Sequence, residues 1–207
     1  MSAGGRLIAL EGGEGAGKST HAVQVVNWLQ ARGRRVLRTR EPGGSPLAEA
    51  IRGVVLDDWA EGVTPLTEVL LMFAARAAHL AATIAPALAR GEDVVCDRFV
   101  DASWAYQSAG RGLAPEVLSA LEGFVLGDLR PNLVLLFDVA PEVGLLRARS
   151  RGDANRFEAE NLAFMERVRR CYLQRAAAEP ARYAVLDASA ALPAVQAALL
   201  TVLEQRL

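Results

Sequence analysis

The sequence predicts an α/β fold, a five-stranded parallel sheet flanked by helices on both faces. Five short apolar runs, each bounded by turn or charged residues, recur along the chain, and longer segments with helical spacing lie between them. A length of 207 residues, 52% of them apolar, suits one domain of this kind. Strands that alternate with helices imply a parallel sheet covered on both sides.

Leu7 to Leu10 is the first strand, and Val23, Val26 and Leu29 mark the helix after it. Val36 to Leu37 is the second strand. Val69, Phe73 and Leu80 then form a helical stripe running into the Ala-rich, helix-favouring stretch Ala74 to Ala87. Val94 to Cys96 is the third strand, Val117, Leu121 and Val125 the next helical stripe, and Leu133 to Phe137 and Tyr183 to Leu186 the last two strands. Gly33, Gly91 and Gly127 stand where helices end, since a left-handed residue closes a last turn. No repeat, low-complexity tract or linker interrupts residues 1–207, so a single domain is expected.

Lys plus Arg number 23 against 24 Asp plus Glu, a net charge of -1, which leaves no global positive field for a nucleic-acid polymer. Any phosphate binding is therefore local. The two cysteines, Cys96 and Cys171, have neither metal-type spacing nor a disulfide framework, which fits a reducing, cytoplasmic compartment. Near the N-terminus only four apolar residues run together, too few for a signal peptide or the ~20 of a membrane span.

Directly after the first strand, Gly12-Gly13-Glu14-Gly15-Ala16-Gly17-Lys18-Ser19 fits the phosphate-binding loop pattern G-x-x-x-x-G-K-S/T, with Thr20 and a helix following. Glycines let successive backbone N–H groups turn inward to phosphate oxygens, and the helix adds its positive end. Lys18 then reaches the β- and γ-phosphates and Ser19 ligates Mg2+. Glu11, at the end of the strand, either holds a metal-bound water or is a solvated strand end.

Lys18 is the only lysine, so no Asn-Lys guanine-reading element exists, which argues against a GTPase. Every other positive charge is Arg, whose planar fork grips phosphate bidentately. Arg40 precedes Glu41-Pro42-Gly43-Gly44 after the second strand, and Arg98 follows Asp97 after the third. In a parallel sheet both open on the crevice that holds the loop. Arg147, Arg149, Arg151 and Arg156 surround Gly152-Asp153-Ala154-Asn155, which reads as a mobile flap at about 147–158 or as a solvated helix answered by Glu158 and Glu160.

Taken together, Glu11 to Thr20, Thr39 to Gly44, Leu71-Met72-Phe73-Ala74-Ala75-Arg76, Asp97-Arg98-Phe99, Ala105-Tyr106-Gln107 with Gly110-Arg111-Gly112, and Arg151-Gly152 with Arg156-Phe157-Glu158 resemble thymidylate kinase nearly end to end. The resemblance implies a P-loop nucleoside monophosphate kinase fold, ATP and Mg2+, thymidine monophosphate as acceptor, and a homodimer built by helix packing. It further implies that Phe73 stacks on thymine, Arg76 bonds its edge, Ser103 and Gln107 complete the pocket, and Arg40, Glu41 and Pro42 help to position the acceptor. Arg98 would clamp the acceptor phosphate, with Asp97 organising the metal region. Tyr106 either packs on the sugar or supports the wall, and on its own helical pattern Phe73 reads as a core residue. Some members carry a catalytic arginine inside the P-loop, where this chain has Gly15, so catalysis would fall to Arg151 and Arg156, with Arg147 toward adenine or phosphates. His21 and His79 read as structural, and Trp28, Trp59 and Trp104 as packing residues.

Overall fold

The computed structural model describes residues 4–149, 157 and 160–207. Its sheet has five strands, β1 Leu7–Glu11, β2 Val36–Arg40, β3 Asp93–Asp97, β4 Leu133–Asp138 and β5 Tyr183–Asp187, in the order β2-β3-β1-β4-β5, all parallel. Side chains of β1 alternate between two cores: Leu7 and Ala9 pack with Val94, Cys96, Val134 and Leu136 on one face, and Ile8 and Leu10 with Val95, Leu135 and Phe137 on the other. This two-sided burial is why the central strands β1, β3 and β4 read as unbroken apolar runs.

Helices α1 Lys18–Gln30 and α9 Leu192–Arg206 cover the second face. The first is covered by α3 Pro65–His79, α4 Ala85–Ala89, α6 Pro115–Leu126 and α8 Leu162–Ala178. The remaining helices are α2 Pro46–Leu56, α5 Val100–Ser103 and α7 Pro141–Arg149. Ser45 caps α2 and Thr64 caps α3, each accepting a first-turn N–H, with Pro46 and Pro65 at the first helical position, where a missing N–H costs nothing.

Two sequence stripes sit one residue off. In α1 the core takes Ala22, Val25 and Leu29 while Val23 is 42% exposed; in α6 it takes Leu118 and Leu126, with Leu121 and Val125 only partly buried. Small Ala22 lets α1 approach the sheet, which a reading weighted to large apolar residues passes over.

Pro65–Ala89 is one helix by length, widened to a π turn over Leu80–Ile84 ahead of Pro86, whose ring cannot continue the regular ladder. It is long and apolar enough to cross a membrane by composition alone. Arg76 and His79 are buried within the fold against one carboxylate, however, which makes it the core helix of this domain.

Candidate active site

Because the sheet is parallel, its carboxyl edge gathers the strand ends: Asp97 is in register with Leu10 of β1 and with Arg40 of β2. The loop between β1 and α1 closes here with Gly12, Gly15 and Gly17 at positive φ. A Cβ on Gly15 would run into the Gly144 carbonyl of α7, so the tight turn and the packing both require glycine.

Glu14 to Thr20 line an open cleft of about 730 Å³ together with Arg40, Glu41, Arg52, Asp97 and Arg98. Lys18 Nζ donates to the carbonyls of Gly12 (3.0 Å) and Gly13 (2.8 Å). Burial, and behind it the charge of Arg98, lowers the Lys18 ammonium to about 8. Ser19 Oγ donates to Asp97 Oδ2 at 2.8 Å, one hydroxyl and one carboxylate at the mouth of the cleft. Hard oxygens in that number suit Mg2+, which takes few protein ligands and completes its shell with phosphate and water.

Arg98 sits at φ 69°, rare for a residue with a side chain. Its Nη2 donates to Glu14 Oε1 (2.7 Å) and Tyr106 OH (3.1 Å), and its Nη1 to Gly12 O (3.0 Å) and Tyr172 OH (3.3 Å). The fork thus faces the loop with its charge answered by Glu14. Tyr106 serves as wall and brace, since its ring packs edge-on to Phe157 and Phe164 while its hydroxyl donates to Glu14 Oε1 (3.1 Å).

Glu11 is neither solvated nor aimed at a metal. It is fully buried, with one oxygen accepting Phe99 N–H (2.7 Å) and the other Tyr172 O–H (2.9 Å). Burial, reinforced by Asp101, raises its carboxyl to about 8, and both oxygens are already engaged inside the fold.

A second pocket of about 530 Å³ adjoins the cleft, lined by Glu14, Glu41, Pro42, Arg52, Leu56, Met72, Arg98, Ala102, Tyr106, Gln107 and Phe157. Phe73, the expected stacking residue, is outside this lining: it is 2% exposed and packs on the Arg76 guanidinium at 4.7 Å. Met72 takes the lining position instead. Arg76 is also behind the wall, its Nε bonded to Glu41 (2.7 Å), its Nη1 to Ser103 Oγ (3.1 Å) and its Nη2 to Phe99 O (3.1 Å). Ser103, fully buried, therefore supports Arg76 and does not line the pocket.

Gln107 lines this pocket. It lies on a π-helical segment, Trp104–Gly110, a kind of widening often found at functional sites. Its Nε2 donates to buried Glu68 (2.8 Å), which leaves Oε1 buried and without a partner among the described residues.

Arg147 does not line the cleft, its Nη1 donating to Ala188 O at 2.8 Å beyond β5. Arg40 lines it and pairs with Glu49 at 2.9 Å. Arg151 and Arg156, and most of the flap at 147–158, lie outside the described residues. His21 stacks on Phe137 and Trp104 Nε1 donates to Glu122 (2.6 Å), both packing roles. Sequence reasoning missed Met72, Arg52 and Tyr172. Arg52 left a signal, three residues after Glu49 on one helix face and just past the Arg-Glu-Pro-Gly-Gly loop, while Tyr172 left none.

A family profile described as Thymidylate kinase matches residues 10–199. The thymidylate kinase of Pseudomonas syringae pv. tomato is 58% identical over 195 residues, covering 94% of this chain and 93% of that one. The thymidylate kinase of Alcanivorax borkumensis is 53% identical over 201 residues, 97% of each chain. Among solved structures, the crystal structure of thymidylate kinase from Ehrlichia chaffeensis superposes with a TM-score of 0.79 at 28% identity, covering 98% of this chain and 99% of that one.

Proposed function

This chain belongs to the thymidylate kinase family, and from that premise we propose that it transfers the γ-phosphoryl group of ATP to thymidine monophosphate, giving thymidine diphosphate and ADP, with Mg2+ as cofactor and the cytoplasm as its compartment. An acceptor phosphate oxygen forms the new P–O bond as the bond from the γ-phosphorus to the β,γ-bridging oxygen breaks, so no side chain need accept a proton. The protein supplies position and charge. Lys18 and the P-loop N–H groups hold the donor phosphates, while Arg98, with Arg40 and Arg52 nearby, holds the acceptor phosphate. Ser19 and Asp97 would hold Mg2+, which neutralises phosphate charge when bound. Arg151 and Arg156, which lie outside the described residues, are the further arginines this reading assigns to catalysis.

The buried, unpartnered Oε1 of Gln107 carries the choice of acceptor. Glu68 fixes the amide, because the reverse orientation would set two acceptors against each other. Thymine and uracil offer N3–H to that oxygen, whereas cytosine presents a bare N3 and would leave two acceptors facing. A panel of monophosphates with ATP and Mg2+, read as ADP release, tests this. Thymidine monophosphate is expected to be the best acceptor, with deoxycytidine monophosphate at least about 100-fold poorer in kcat/KM. For Gln107→Leu that gap should narrow to about tenfold or less. A cytidine preference in the wild type would sink the assignment.

The homodimer rests on α3. Leu66, Leu70, Ala74, Ala77 and Ala81 make an exposed apolar stripe along the helix that carries the membrane-like composition, and α6 beside it exposes Phe124 at 88%. A second copy laid face to face would cover both. Sedimentation should give twice the 22.1 kDa chain mass for wild type and a single chain mass for Leu70→Glu. Wild type sedimenting as one chain at micromolar concentration would refute it.

A further inference from the structure

Beneath the acceptor pocket runs a buried line of side chains that no step of the reaction uses. Glu41 contributes to the pocket wall, yet its carboxylate is turned into the protein. Oε2 accepts Arg76 Nε–H at 2.7 Å, and Oε1 lies 3.2 Å from His79 Nδ1. His79, fully buried, has its other nitrogen 2.7 Å from Thr39 Oγ1. With a carboxylate as the only partner of Nδ1, that nitrogen carries the proton, so Nε2 accepts and the Thr39 hydroxyl donates.

The same imidazole sets the shape of the loop above it. A Cβ on Gly44 would collide with His79 Nε2, and Thr83 Oγ1 on the widened turn donates to Gly44 O at 2.8 Å. At its far end Arg76 passes the line to Ser103 and to the Phe99 carbonyl, one residue from Arg98. Bonds therefore run from β2 through α3 to the segment after β3, and the P-loop contacts of Lys18 and Ser19 stand outside them.

We infer that His79 is a positioning residue for the acceptor site: by fixing the Glu41 carboxylate it holds Arg76 and the Glu41–Gly44 loop, and so the wall against which the acceptor nucleotide lies. It touches neither substrate. Losing both ring nitrogens strands a buried carboxylate oxygen and the half-buried Thr39 hydroxyl, whose search for partners displaces the loop. The effect falls mainly on the acceptor side, although Glu41 also borders the P-loop cleft.

The inference rests on thymidine monophosphate being the acceptor, and wild-type turnover with it tests that separately. Steady-state kinetics on the full chain would compare wild type with His79→Phe, His79→Gln and Thr39→Val. In His79→Phe the KM for thymidine monophosphate is expected to rise about tenfold, with kcat and the KM for ATP within about twofold of wild type. His79→Gln, which keeps one donor and one acceptor, should recover most of that loss. Thr39→Val removes only the donor to Nε2 and should give an intermediate rise; it also carries the test if His79→Phe fails to fold. Equal losses in both KM values and kcat, or no rescue by Gln over Phe, would show that His79 merely stabilises the fold.

Discussion

Lys18→Met is expected to lower kcat by about 10²–10³-fold and yet to raise the melting temperature by a few degrees. The loss follows from chemistry with little covalent work for the protein, in which a charge placed at the transferring phosphates is most of the catalysis. The gain follows from the site's own electrostatics. Burial and Arg98 pull the Lys18 ammonium to about 8, against 10.5 for an unhindered lysine. The folded chain thus holds that proton less tightly than the unfolded chain, so charged Lys18 opposes folding at every pH below about 8, by roughly 3 kcal/mol. The penalty disappears as pH rises from about 8 to 10.5, and a neutral side chain of similar length never incurs it.

The same shift gives a pH signature. Above about pH 8 the free enzyme loses the ammonium and the KM for ATP should climb in wild type, whereas in Lys18→Met it should stay flat over that range. Calorimetry together with a kinetic pH series checks both arms. A variant that melts well below wild type would mean that the ammonium supports the loop more than it strains it.

How far the sequence foretold all this depends on what each residue had to signal. The five strands lie where the apolar runs put them, most clearly the central β1, β3 and β4, because strands buried on both faces leave no place for polar residues. Each strand nevertheless continues past its run to a charged residue: Glu11, Arg40, Asp97, Asp138 and Asp187. Hydropathy ends before these positions, while the ladder of backbone bonds does not, and two of the five, Arg40 and Asp97, line the cleft. The P-loop was legible because its glycines and single lysine are local demands of one turn.

The acceptor pocket was less legible because it is assembled from six separated segments. An aromatic residue is the natural face for a flat base, so Phe73 drew the role; on a helix one position is a turn of about 100°, and it is Met72 that reaches the lining. Arg76 took the thymine edge through the family resemblance, and its carboxylate partner in the fold is Glu41. No pattern could show that pairing, since it joins residues 35 positions apart. His79 is a milder case: its place three residues after Arg76 put both on one helix face, but only the fold shows that they share a carboxylate.

Arg98→Lys keeps the charge and should still cost about 10²–10³-fold in kcat, with a higher KM for thymidine monophosphate and an ATP dissociation constant within about twofold of wild type. One guanidinium here meets four oxygens on four residues, Gly12, Glu14, Tyr106 and Tyr172, from two nitrogens held in one plane. An ammonium is a single point with three donors, so it cannot brace both tyrosines while also offering a bidentate face to phosphate. The backbone places the fork at some expense, since a left-handed φ costs a non-glycine residue of order 1 kcal/mol. Such a conformation persists where the surrounding structure requires it. Glu14 answers the guanidinium until an acceptor phosphate arrives, and the dianion must then compete for the fork, which makes acceptor affinity depend on the geometry of the fork as well as its charge. Stopped-flow turnover with varied acceptor, beside calorimetric titration of ATP, separates the two substrates. If Arg98→Lys retained wild-type kcat and acceptor KM, charge alone would suffice and the clamp assigned to Arg98 would be wrong; if ATP binding fell while the acceptor was unaffected, Arg98 would belong to the donor side of the cleft.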